Sequence, residues 1–292
     1  MSTAMRLGVS LEALAALAAH VRVETEGAPA DDRTRELLRA IARAVLEGDD
    51  DAAGASEAAA VVGMTRTLLA QSAELVADPG RTPGWLHTDP DVLQGTGRMS
   101  TAIAGAIAAA SARDLEGLAR RLAVPGAAFL DAGTGTAWLA IAVARAYPEV
   151  RVVGIDLYES ALELARGNVA ASGLGGRIEL RFLDVTQLLE EDAYDAVWLP
   201  LPFLPRAVVG PAMTAARGAL RPGGWLIAGT YAGPPDHLSQ LLLELRTVRS
   251  GGHPWEAGEL IAEIERHGFA SAREAERTWS APVRLFAGRR TD

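Results

Sequence analysis

Phe129-Leu-Asp131-Ala-Gly133-Thr-Gly135-Thr-Ala137 is the stretch on which the fold turns. Its first half belongs to an apolar run, AAFLDAG from Ala127, that reads as a buried strand. Its second half opens a helix candidate at 137–147. Glycines at such a strand-to-helix turn let the backbone approach a ligand closely and take positive φ. The helix that follows presents unpaired N–H groups at its start. A dinucleotide fingerprint needs a third glycine three residues after the second, and Trp138 stands there. A P-loop needs Gly-Lys-Ser/Thr, which is absent.

The same alternation continues outward. Further apolar runs are VRVVGIDL (150–157), RIELRFLDV (177–185), YDAVWLPL (194–201) and GGWLIAGT (223–230). Helix candidates lie between them at 159–172, 186–190 and 206–220. Short, nearly continuous apolar strands alternating with helices indicate a mostly parallel sheet covered on both faces. Residues 231–257 read as a loop. A helix at 256–267 and two strands, 271–279 and 281–288, end the chain as a terminal antiparallel pair. The fold class expected is α/β.

Upstream the texture changes. Residues 1–98 are rich in Ala, Leu, Arg and Glu, with apolar residues at helical spacing in 11–22, 31–47 and 55–77. In the second helix Leu37, Leu38, Ile41, Val45 and Leu46 share a face; Asp31 or Asp32 can cap its start and Gly48 can end it. Residues 78–91 form a Pro/Gly/Asp loop, and a long Ala-rich helix is expected over 96–122, stopped by Pro125-Gly126. Two domains follow: 1–98, all helical, and 99–292, α/β.

Composition excludes several classes. The chain of 292 residues carries a formal charge of −9, which works against unspecific binding to nucleic acid or acidic lipid. All 28 basic residues are Arg. There is no Cys, so disulfides, thiolate metal sites and cysteine nucleophiles are out. No secretion signal and no membrane span are seen, and a cytoplasmic location is expected.

The glycine stretch, written D-x-G-x-G-x-A, resembles motif I of class I S-adenosylmethionine-dependent methyltransferases, with Ala137 at the usual third glycine. Four later pieces extend the resemblance in order: Asp156-Leu157, Asp184-Val185, the Tyr194-Asp195-Ala-Val-Trp198-Leu199-Pro200 strand, and Leu220-Arg-Pro-Gly-Gly224 before strand five. It implies a Rossmann-like fold with S-adenosylmethionine as cofactor and S-adenosylhomocysteine as product; no metal is expected, because no second carboxylate clusters after strand four, where Pro200, Pro202 and Pro205 stand. It also implies a set of cofactor-binding residues. Asp131 would meet the ammonium, Gly133, Thr134 and Gly135 the turn, Asp156 the ribose, and Leu157 the adenine face. Asp184 and Val185 would meet the adenine edge, and Leu199 the methionine side. Ala137 is small enough for helix to pack on strand.

The acceptor side is read from the residues alone. His253, in Ser-Gly-Gly-His-Pro-Trp, and Tyr231 follow strand five and are the catalytic candidates; a histidine there can deprotonate a hydroxyl or amine. In-line methyl transfer depends mainly on alignment, so a base is optional. His237, Glu256, Trp85 and His87 are further candidates, the last two as parts of a lid. His20 reads as structural and His267 as a helix-end cation. The segment WLPLPFLP departs from common family members and lacks the N-P-P-Y or D-P-P-Y signature of enzymes that methylate amide or nucleobase nitrogens. It suggests an apolar wall for an aromatic or peptide-derived natural product methylated at O, N or C.

The helical region 1–98 reads as a lid or a dimerisation domain, and Gln94–Ser100 as a glycine hinge whose Arg98 can meet a carboxylate. A homodimer is one expectation for it. The alternatives are the same fold with other or lost chemistry, or a DNA-binding regulator built on residues 56–76. The acidic charge speaks against the regulator, and no nucleic-acid or membrane partner is expected.

Overall fold

A computed structural model describes residues 3–25, 27–45 and 55–292. The apolar runs become β1 (Ala128–Ala132), β2 (Arg151–Asp156), β3 (Ile178–Phe182), β4 (Tyr194–Pro200) and β5 (Leu220–Tyr231), all mutually parallel. The tail supplies β6 (Ala270–Glu274) and β7 (Val283–Arg289), with β7 antiparallel to β5 and β6 antiparallel to β7. The seven strands run in the order β3-β2-β1-β4-β5-β7-β6. The order reverses between β1 and β4, and the carboxyl ends there form the crevice where open α/β sheets bind ligands.

The chain divides into two compact units, Met1–Pro79 with Gln94–Met99, and Gly80–Leu93 with Ser100–Asp292. In the first, α1 (Thr3–Thr25) packs on α2 (Asp32–Val45) and α3 (Ala55–Ala77). Asp31 caps α2, its Oδ1 accepting from the Thr34 N–H at 2.9 Å. Gly48 and Leu46 lie outside the described residues. Leu37, Ile41 and Val45 are exposed.

Four expectations change, two of them in this region. The helix expected at 96–122 is two helices, α4 (Pro90–Arg113) and α5 (Leu118–Leu122). Asp89 starts α4 early by accepting from the Asp91 N–H at 2.8 Å, with Pro90 in the first turn. Gly117, at φ 81°, separates the two helices. Gln94–Ser100 therefore lies inside a helix and is no hinge. Gly95 meets Gly63 of α3 so closely that a Cβ on Gly63 would sit 2.9 Å from the Gly95 Cα.

The second unit holds the sheet. β1 shows how both faces are covered, since Phe129 and Leu130 are fully buried in opposite layers. One layer takes Ile107, Leu118 and Leu122, together with α6 (Trp138–Ala146) and α7 (Glu159–Ser172). The other takes α8 (Arg206–Ala219) and α10 (Ala257–Arg266). The expected helix at 186–190 is only a 3-10 turn, Val185–Gln187. The expected loop 231–257 contains α9 (His237–Arg249), capped by Asp236, whose Oδ1 accepts from the Ser239 N–H at 3.0 Å. Pro and Gly on both sides of α9 mask it in the sequence.

The Arg-Pro-Gly-Gly motif proves to be a clamp. Asp195 is buried, with Oδ2 accepting from Arg221 Nη1 at 2.5 Å and from the Ala128 N–H at 3.0 Å. Arg121 approaches its other oxygen at 3.6 Å. A paired buried carboxylate of this kind ties β1, β4 and β5 at their amino ends, away from the ligand edge.

Among the described residues no helix is long and apolar enough to cross a membrane.

Candidate functional site

At the carboxyl end of β1 the chain turns through three left-handed residues: Gly133 (φ 66°), Gly135 (φ 55°) and Ala137 (φ 65°). Gly133 is required twice over. Its φ is unfavourable for a side chain, and a Cβ there would lie 2.9 Å from Cγ of Pro200. Ala137 is fully buried, as close packing demands, but its φ is a glycine's, so it carries a local strain of about 1 kcal/mol.

Asp131 sits under this turn, 1% exposed. Its Oδ2 accepts from the Thr134 hydroxyl at 2.8 Å, while Oδ1 has no hydrogen-bond partner. Burial raises its pKa to about 7; the Thr134 bond opposes the rise and the neighbouring Asp156 adds to it. A buried carboxyl with one unanswered acceptor fits a cationic donor.

Asp156 ends β2, beside the same turn. Its Oδ2 accepts from the Gly135 N–H at 2.7 Å and its Oδ1 from the Tyr158 N–H at 2.9 Å. Burial raises its pKa, against these backbone bonds. Each oxygen keeps a second lone pair for a ligand hydroxyl. Leu157, next in the chain, is 53% exposed and offers an apolar platform.

Asp184 is partly used as a cap: its Oδ1 accepts from both the Thr186 N–H and the Thr186 hydroxyl at 2.8 Å. Val185 opens the 3-10 turn and is buried. Leu199 does not face the crevice. Its side chain is fully buried in the layer with Val209 and Met213, because strand residues alternate between faces. The residue of β4 that meets the glycine turn is Pro200.

The β4–β5 side of the crevice gathers four distant segments within the second unit. Gly84 donates its N–H to the Arg249 carbonyl at 3.0 Å, and Arg81 reaches the same carbonyl at 3.2 Å. Gly252 lies against the Pro202 carbonyl, where a Cβ would come within 2.4 Å. A row of edge-on rings results: His87 to Trp85 at 4.7 Å, Trp85 to Phe203 at 5.1 Å, and Phe203 to Tyr231 at 6.3 Å. Tyr231 has its pKa raised by burial, with Arg246, 5.5 Å from its ring, opposing the rise.

His253 stands edge-on to Trp255 at 4.8 Å. Its Nε2 meets Arg206 Nη1 and, at 3.4 Å, Glu259 Oε2. A guanidinium only donates, so Nε2 accepts from Arg206 when the ring is neutral, with the proton on Nδ1. Tyr231 and His253 line one cavity of about 110 Å³. Sequence reasoning missed Arg206 and Glu259, whose roles depend on contacts between distant segments, and named Pro200 and Phe203 only within the apolar wall of WLPLPFLP. His237, at the exposed start of α9, is absent from this lining. Among the described residues no three His, Asp or Glu gather as a metal site.

Residues 129–224 match the family described as Methyltransferase domain. Over 128 residues the chain is 35% identical to ribosomal protein uL3 glutamine methyltransferase of Bordetella pertussis, covering 40% of this chain and 42% of that protein. Over 156 residues it is 31% identical to release factor glutamine methyltransferase of Gloeobacter violaceus, covering 42% and 54%. The chain thus spans about half the length of the curated relatives it matches. In structure it resembles human N-acetylserotonin methyltransferase in complex with SAM over 100% of this chain and 99% of that one, with a TM-score of 0.68 at 14% identity. The chain therefore has the Rossmann-like class I methyltransferase fold, and its residues 129–224 match a methyltransferase domain.

Proposed function

We propose that the protein transfers the methyl group of S-adenosylmethionine to an O, N or C nucleophile of a small molecule, an aromatic or peptide-derived natural product. The observation that carries this reading is the unanswered Oδ1 of buried Asp131 beneath the Gly133 turn. Asp131 would take the ammonium of the cofactor. Gly133, Thr134 and Gly135 would line its amino-acid end, and Asp156 would accept from the ribose hydroxyls. Leu157 would cover the adenine, and Asp184 with the Val185 N–H would read its edge. When bound, the sulfonium supplies a methyl group activated for in-line displacement.

The chain's own contribution is alignment and exclusion of water, which can supply most of the rate. His253 and Tyr231 are the proposed catalytic groups, His253 as proton acceptor and Tyr231 as an aligning wall. His253 Nε2 takes a proton only once Arg206 has moved off it. The ring row from Trp85 to Tyr231 supports an aromatic acceptor. A glutamine amide, the acceptor named for the curated relatives, needs hydrogen-bonding partners. The end of β4 reads Leu199-Pro-Leu-Pro-Phe203, with no such side chain. Residues 1–98 are proposed as a lid or homodimerisation domain, and a cytoplasmic location is proposed with them.

Calorimetry tests the reading. Both S-adenosylmethionine and S-adenosylhomocysteine should bind the folded chain. Absence of heat at millimolar ligand would sink it. A mass gain of one methyl group in a candidate metabolite would then name the acceptor.

A further inference from the structure

Residues 80–87 belong to the second unit and are tied to the far end of its ligand edge. Arg81, Gly84, Trp85 and His87 are half-buried, while Thr82, Pro83 and Leu86 between them are exposed, so one side of the segment packs inward. Its anchor is the end of α9. Carbonyls in the last turn of a helix have no helical partner and carry negative partial charge. The Arg249 carbonyl there accepts from the Gly84 N–H at 3.0 Å and from Arg81 Nη2 at 3.2 Å. Arg81 Nη1 turns back onto the Gly84 carbonyl at 2.9 Å, so one guanidinium holds both stretches of chain. Gly84 (φ 154°) and Gly251 (φ 95°) let the two backbones meet: a Cβ on Gly251 would sit 3.1 Å from the Gly84 Cα.

The path of the segment follows from the strand order. Trp85 stands edge-on to Phe203, which follows β4. Tyr158, which follows β2, feels the Arg81 charge: burial and Asp156 raise its pKa, and Arg81 opposes the rise. β1 lies between β2 and β4. Strands two apart in a sheet are separated by about 10 Å. The four residues from Arg81 to Trp85 reach about 13 Å when extended. The stretch therefore passes across the carboxyl end of β1, where the Gly133 turn and Asp131 lie.

We infer that residues 80–87 are a strap across the cofactor crevice, and that Arg81 is the positioning residue that latches it. S-adenosylmethionine enters and S-adenosylhomocysteine leaves only when Arg81 releases the Arg249 carbonyl. The inference rests on the methyltransferase reading for the identity of what passes beneath the strap.

Stopped-flow binding of S-adenosylhomocysteine to the full chain tests the latch, with hydrogen exchange at the Gly84 amide as a second readout. Arg81→Met keeps the aliphatic stem and loses every donor. Association and dissociation should both speed up by about tenfold, the worth of a charged hydrogen bond, with affinity kept within about threefold. In the ligand-free chain the Gly84 amide should exchange about tenfold faster in the variant. Unchanged rates in folded Arg81→Met would overturn the inference. Faster dissociation with unchanged association would overturn it too, because that pattern marks a ligand contact and no gate. If Arg81→Met does not fold, Trp85→Leu decides: it loosens the other end of the strap and should also raise both rates. If S-adenosylhomocysteine fails to bind the unaltered chain, the proposed function falls, and the Gly84 amide judges the latch separately: equal exchange in the two chains would overturn it.

Discussion

The two sides of the crevice lie on one sheet edge and are built in opposite ways. On the β1–β2 side, most candidate contacts come from short contiguous stretches: a left-handed turn and carboxylates at strand ends. On the β4–β5 side, they come from side chains far apart in the chain, brought together by Gly252 on Pro202 and Arg81 on Arg249. The first side depends on backbone geometry and a few conformationally demanding residues. The second depends on packing, which many sequences can satisfy. The lesson is that the first should fail from single local substitutions, and the second should lose turnover or selectivity while cofactor binding persists.

The largest expected effect tests the turn. Gly133→Val adds a β-branched side chain at positive φ against Pro200, and S-adenosylhomocysteine affinity should fall by more than about 100-fold. Unchanged affinity in a folded variant would show that this turn does not hold the cofactor. Next comes His253→Ala. Methylation of an identified acceptor hydroxyl should slow by about 100-fold with S-adenosylhomocysteine affinity intact. If turnover is unaltered, His253 is only a loop clamp for Arg206 and Glu259.

Asp156→Ala removes the ribose acceptor and also releases the Gly135 and Tyr158 N–H groups. Calorimetry should record a loss of about 1–3 kcal/mol in cofactor binding. A loss on the acceptor side alone would break the division between the two sides.

Asp131 adds a pH signature. Burial lifts its pKa to about 7, so between about pH 4 and 7 the folded chain holds a proton that the unfolded chain has lost. The stability from this group is therefore full below about pH 4 and is lost as pH rises through 7. An ammonium against Asp131 demands the carboxylate. Cofactor binding should thus release a proton below pH 7, and affinity should rise by about tenfold from pH 6 to its plateau above pH 7. Asp131→Asn should flatten that profile in calorimetry across buffers of different ionisation heat.

The smallest effect is a gain. Ala137→Gly relieves a non-glycine residue at φ 65° and should raise Tm by about 1–3 °C. A drop would mean that its methyl group contributes more to packing than the turn costs.

Much of the first side was legible because its physics is local. Strand, turn and terminal carboxylate lie within a few residues, and the order of five such pieces fixes the sheet. Asp195 and Arg221 were read as family marks, yet their function is structural, an ion pair that the sequence cannot show as one. α9 was hidden by flanking Gly and Pro, and its Leu238, Leu241 and Leu242 are exposed, so no buried stripe marks it in the structure either. The Gln94–Ser100 glycines suggested a hinge. Gly95 instead answers Gly63 across two helices, a partnership invisible to local reading.

The sequence by itself determined the α/β alternation, the glycine turn after β1, and the places of Asp131, Asp156 and Asp184, because backbone conformation and strand period are set by neighbouring residues. Only the tertiary structure decided that Leu199 faces the core and Pro200 the turn, that His253 Nε2 is engaged by Arg206, and that Tyr231 and His253 line one cavity. Those facts depend on which face a side chain takes and which remote segment packs against it. Both are settled by burial across the whole chain and by no single stretch of it.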